Sequence, residues 1–100
     1  MIDFLNECNI NINTINEMKK KYPAELFDLN CNKEEIVQII DYLRNIGITN
    51  IDDLLLNKTS LFFKSKELVE QKFMKYDLSL IVNQINEDYE KIDKILFDYN

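Results

Sequence analysis

The chain contains no histidine and no tryptophan, one glycine, one proline and two cysteines in 100 residues. Each scarcity excludes something. Without histidine, the commonest general base and the commonest nitrogen ligand for metals are missing, so a Ser-His-Asp triad, a Cys-His nucleophile pair and a histidine-bearing zinc site are ruled out. One Gly and one Pro are too few for an all-β domain, which needs turn residues every ten positions or so. Cys8 and Cys31 do not make a disulfide framework, and two thiols fall short of the four ligands of a structural zinc site. They read as small, partly buried apolar side chains in a reducing compartment. No apolar run approaches the ~20 residues needed to cross a bilayer. The opening residues Met1 to Glu7 carry acids where a secretory leader carries bases. The expectation is a cytoplasmic protein without a membrane segment, a metal or a cofactor, and without catalysis.

What is present is a single helical domain. The apolar fraction of 46% and charged fraction of 30% suit a packed core. The abundance of Asn, Ile and Lys reads as a low-GC coding background. Residues 1–12 mix helical and alternating spacing and are expected to form a short helix or arm. A helix is expected over about 13–21, capped by Asn13 or Thr14 with Glu17 completing a capping box and Ile15 and Met18 facing inward. Pro23 stops it, and 24–29 form an apolar turn. Asn32 with Glu35 reads as a second capping box, opening a helix over 33–46 whose stripe is Ile36, Ile39, Ile40, Leu43 and Ile46. Gly47 stands where a left-handed C-cap is needed. Further helices are expected over 51–57, 66–76 (from Ser65, burying Leu68, Val69 and Phe73) and 78–97 (from Asp77). Phe27, Phe62 and Phe63 sit at core-like positions. The predicted class is all-α: a compact bundle of about five short helices with a long C-terminal helix.

Two stretches echo each other at an offset of 36. INEMKKKYPAELF from Ile15 aligns with IDDLLLNKTSLFF from Ile51, matching Ile15 to Ile51, Met18 to Leu54, Leu26 to Phe62 and Phe27 to Phe63. Each is followed by a capped helix, NKEEIVQII from Asn32 and SKELVEQKF from Ser65. A period near 35 suits two degenerate helical-hairpin repeats. The stretch LRNIGITNIDDLLLNKTSLF, Leu43 to Phe62, resembles the repeat of mitochondrial-terminator-factor-like proteins, in which a helix ending in Leu-Gly is followed by a second helix and a Pro-x-Leu turn. Gly47 and Leu61-Phe62 match; Thr59 stands where the proline would be. The same stretch is similar to the start of helix-hairpin-helix domains, without their second glycine. Both resemblances imply an α-helical scaffold that contacts nucleic acid.

Charge gives two competing expectations. The net charge is −6, which opposes general binding to nucleic acid or anionic membrane. The C-terminal stripe Leu78, Val82, Ile85, Tyr89, Ile92, Leu96 and Tyr99 keeps a 4-3 spacing, with Glu87–Lys91 and Glu90–Lys94 as i,i+4 pairs on its wet side. From this comes the first expectation, a small acidic module that binds a protein stoichiometrically, as an inhibitor, an immunity, phage anti-defence or adaptor protein. Its interface would be Glu87, Asp88, Tyr89, Glu90, Ile92, Asp93, Leu96 and Tyr99, facing a basic partner or a second copy of itself. Asp98 would extend the acidic face. The second expectation is a nucleic-acid site at Lys58, Lys64, Lys66, Lys72 and Lys75, where the local charge is positive. The carboxylates Glu87 and Glu90 share one helical face, which a hard cation could use, but a solvated face with lysine partners explains them better.

Overall fold

A computed structural model describes residues 1–97. Among these the chain is all-α, with eight helices, three 3-10 turns and no strand. The helices are α1 (Phe4–Glu7), α2 (Ile12–Lys21), α3 (Leu26–Cys31), α4 (Lys33–Asn45), α5 (Ile51–Asn57), α6 (Lys66–Phe73), α7 (Leu78–Glu87) and α8 (Asp93–Leu96). The 3-10 turns are Pro23–Glu25, Thr59–Phe63 and Tyr89–Ile92, each separated from the helix before it by a single C-cap residue, Tyr22, Lys58 or Asp88.

Helix α4 forms for the reasons its pattern states. Ile36, Ile39, Ile40 and Leu43 are all buried on one stripe. Its end is a Schellman motif: the Ile48 N–H donates to the Leu43 carbonyl at 2.9 Å and the Gly47 N–H to the Arg44 carbonyl at 3.1 Å. Gly47 has φ +102°, and a Cβ there would meet Val82 Cγ1 at an ordinary 3.5 Å. The obstacle to a side chain is therefore backbone strain, not space. Gly47→Ala is expected to cost about 1–2 kcal/mol, read as a lowered urea midpoint with an unchanged m-value.

The helix starts differ from the expected capping boxes, and the differences share one cause. Helix α2 begins earlier, with Asn11 accepting from the Asn13 N–H at 2.8 Å. Thr14 is inside the helix and donates its hydroxyl to Asp52 of α5 at 2.9 Å; the Asn11 N–H donates to the same carboxylate. Asn32 does not cap α4 with its side chain but donates to the Phe62 carbonyl, and Glu35 accepts from the Lys66 N–H at 3.0 Å, the first residue of α6. Helix termini leave backbone N–H groups unpaired. Here side chains from the neighbouring helix meet part of that need.

Those bonds define the packing. Asn11 and Thr14 at the start of α2 meet Asp52 at the start of α5, while Lys21 and Tyr22 at its end meet the Leu56 carbonyl, the tyrosine hydroxyl at 2.7 Å. Helices α2 and α5 thus lie side by side and parallel, and α4 packs on α6. The partners are 30 to 41 residues apart in sequence, close to the offset of the echo. Matched positions Ile15 and Ile51, and Met18 and Leu54, are buried in pairs.

Both sides of this stack are covered. Ile2, Phe4, Leu5 and Ile10 bury themselves against the first half, held by Asp3 to Lys19 at 2.9 Å and by the Ile2 N–H to Asn30. Helix α7 covers the second. Asn86 accepts from the Thr49 N–H and donates to the Gly47 carbonyl, both at 2.9 Å, and Asn50 donates to the Ile85 carbonyl.

The long C-terminal helix is corrected. Asp77 caps α7 as expected, but the helix stops at Glu87. Asp88 is extended (φ −151°, ψ 107°), its carboxylate accepts from the Glu90 N–H at 3.0 Å, and the 3-10 turn and α8 follow. An Asp competes for nearby backbone N–H groups and so favours such a break. The gain is burial: Ile92 and Ile95 both reach 0% exposure, where a straight rod would carry them away from the core. Tyr76 donates to the Lys94 carbonyl at 2.9 Å and Lys58 meets Asp93, fastening the returning segment. Helix α6 is also shorter than expected, ending at Phe73, and Leu68 is exposed.

Candidate interaction surfaces

The bend separates the residues expected to form one interface. Ile92 belongs to the core with Val82 and Ile85, whereas Leu78 of the same stripe is exposed. Tyr89 and Leu96 are half-buried against the same core. Asp93 faces Lys58, whose ammonium lies 3.1 Å from one carboxylate oxygen and 3.2 Å from the other. Glu87, Asp88 and Glu90 remain exposed together at the turn between α7 and α8. With no continuous helix there, Glu90–Lys94 and Glu87–Lys91 lose their i,i+4 geometry, and Lys94 donates to Gln84 at 2.9 Å. Tyr99 and Asp98 lie outside the described residues.

Two of the five lysines are engaged by carboxylates. Lys58 is turned toward Asp93, and its side chain is only 21% exposed. Lys66 pairs with Glu70 at 2.6 Å along α6, and that bond pushes its pKa above the usual lysine value. Lys64 and Lys72 are half-buried; Lys75 is exposed and has an interaction of its own. Phosphate binding wants several ammonium groups pointing one way with no carboxylate between them, and two of these five already have one.

A feature the sequence reading missed is the cleft of about 450 Å³ between α4 and α6. Asp41 and Tyr42 line it from α4, with Gln38 and Asn45 a turn to either side; Lys66, Glu67 and Glu70 line it from α6. Its walls are fixed. Glu35 holds the first N–H of α6, and the Tyr42 ring meets Phe73 edge-on, with centroids 6.0 Å apart. The Lys66 ammonium stands 5.9 Å from the centre of the Tyr42 ring. Burial, and then the Glu70 charge, push the Tyr42 hydroxyl up from its ordinary pKa. The signal was in the sequence as polar residues at 38, 41, 42 and 45 on one face of α4, but which helix faces them is a tertiary fact.

Phe27 and Phe63, expected in the core, are 63% and 43% exposed, whereas Phe62 is 0% exposed. The thiols of Cys8 and Cys31 are unpaired; burial raises the pKa of Cys8, and Cys31 is exposed. Among the described residues no three of His, Cys, Asp and Glu are grouped to hold a metal ion, and no helix is long and apolar enough to cross a membrane. No family model, curated protein or solved structure matches the chain.

Proposed function

We propose that the chain is a small cytoplasmic protein-binding module, built from two degenerate helical-hairpin units and acting by stoichiometric association with a basic partner, as an inhibitor, immunity or anti-defence factor or adaptor does. The observation that carries this reading is the asymmetry of available charge. Lys58 and Lys66 of the basic stretch are engaged by Asp93 and Glu70, while Glu87, Asp88 and Glu90 are exposed side by side at the α7–α8 turn. Exposed carboxylates on a protein of net charge −6 steer a basic partner and raise its association rate. The paired packing of α2 with α5 and α4 with α6 supports the repeat reading, since stacked helical hairpins present extended faces to partners.

The test is co-purification from the cell that makes the protein, with the wild-type chain and the Glu87→Lys/Glu90→Lys variant as baits. The expected result is a basic protein recovered in a fixed ratio by the wild type and lost from the variant. The competing nucleic-acid reading, implied by the resemblance to terminator-factor-like repeats, predicts duplex binding at ~100 mM salt that disappears when Lys64, Lys66 and Lys72 are changed to Glu. That outcome would replace the protein-binding reading.

A further inference from the structure

We propose that the α4–α6 cleft docks an arginine-bearing extended segment of a partner protein, its guanidinium taking the seat between Tyr42 and Glu70 that Lys66 occupies in the isolated chain. This rests on the protein-binding reading above and adds to it a second contact site, apart from the α7–α8 turn, with its own chemistry.

The seat is already shown to hold a cation, the chain's own. The Lys66 ammonium is bound by the Glu70 carboxylate at 2.6 Å and stands over the Tyr42 ring. A carboxylate beside an aromatic face is the combination that attracts both ammonium and guanidinium groups. Charge on the lining of the cleft is not balanced: it carries Asp41, Glu67 and Glu70 against Lys66, so a second cation is favoured there. The walls need little ordering, because Glu35 and the Tyr42–Phe73 contact fix them beforehand. Lys66 is 37% exposed, so its flexible stem can swing into solvent without moving α6. Arginine fits better than lysine, since its planar fork engages a carboxylate through two hydrogen bonds while stacking on a ring.

The probe is a short peptide with blocked ends and two arginines, titrated into the isotope-labelled full chain and followed by amide NMR shifts. Its control carries citrulline, the neutral isostere, at both positions. The arginine peptide is expected to shift amides of residues 38–45 and 66–70, and the citrulline peptide to leave them unmoved. Lys66→Ala removes the internal competitor and is expected to tighten binding roughly two- to fivefold; Tyr42→Leu is expected to weaken it by a similar factor. Lys72→Ala makes the same change in net charge on the same helix and is expected to alter affinity by less than about twofold. Equal tightening by Lys66→Ala and Lys72→Ala would mean bulk attraction only and would overturn the proposal, as would shifts centred on residues 87–90 or no shifts at all. If a co-purifying partner is lost with Glu87→Lys/Glu90→Lys but kept by Tyr42→Leu, the protein-binding reading stands and this cleft does not.

Discussion

Ile92→Asp is expected to unfold the chain. Ile92 is fully buried beneath the 3-10 turn that leads into α8, in the same cluster as Ile85 and Ile95. A carboxylate placed there must either shed its charge or drag the segment into water, and Lys58, the ammonium fastening this segment, is already engaged by Asp93. A loss of about 4–5 kcal/mol or more is expected, a large share of the 5–15 kcal/mol that ordinarily separates folded from unfolded domains. Far-UV circular dichroism would show it as lost helix at room temperature or a sharply lowered melting point. Ile92→Val, which removes one methylene, is expected to cost only about 1 kcal/mol. The contrast separates two views of the C-terminal segment. Were the 4-3 stripe the seam of a homodimer, Ile92→Asp would give a folded monomer with its melting point nearly intact. That result would show that the segment does not dock as described.

Phe62→Ala is expected to cost about 3–5 kcal/mol and its neighbour Phe63→Ala well under half of that. At about 4–8 °C per kcal/mol for a domain of this size, the first should lower the melting point by roughly 15 °C or more. The two residues are chemically identical and adjacent, and they differ only in where the Thr59–Phe63 turn points them: Phe62 is 0% exposed, Phe63 43%. The cost at 62 combines lost burial with the void left among rigid neighbours. Equal losses at both positions would mean that the turn presents its side chains otherwise.

That pair also shows how far the sequence could be read. Periodicity located α4, α5 and their buried stripes, and Gly47, Ser65 and Asp77 ended or opened helices where their chemistry said they would. These signals are local: a cap or a stripe needs only residues within a turn or two. What the sequence did not reveal depends on partners far along the chain. Thr14, Asn32 and Glu35 looked like caps of their own helices, yet Asp52, Phe62 and Lys66 take their hydrogen bonds. The last helix looked continuous because Leu78, Val82, Ile85, Tyr89, Ile92 and Leu96 keep a 4-3 spacing. The set that is buried is Ile81, Val82, Ile85, Ile92 and Ile95, and the chain turns at Asp88 between its two halves. Of the expected interface, Glu87, Asp88 and Glu90 survive as an exposed group, Ile92 is withdrawn into the core, and the α4–α6 cleft was invisible because its two walls come from separate helices.

The borrowed caps have a consequence for how the chain comes together. Asp52 satisfies the beginning of α2, and Glu35 satisfies the beginning of α6, so each half lends the other a group that it lacks. Cutting between Gly47 and Asn50 would leave two pieces with frayed starts and uncovered flanks, neither long enough to hold its helices in water by itself. The halves are therefore expected to gain order together, although their sequences look like two separable copies.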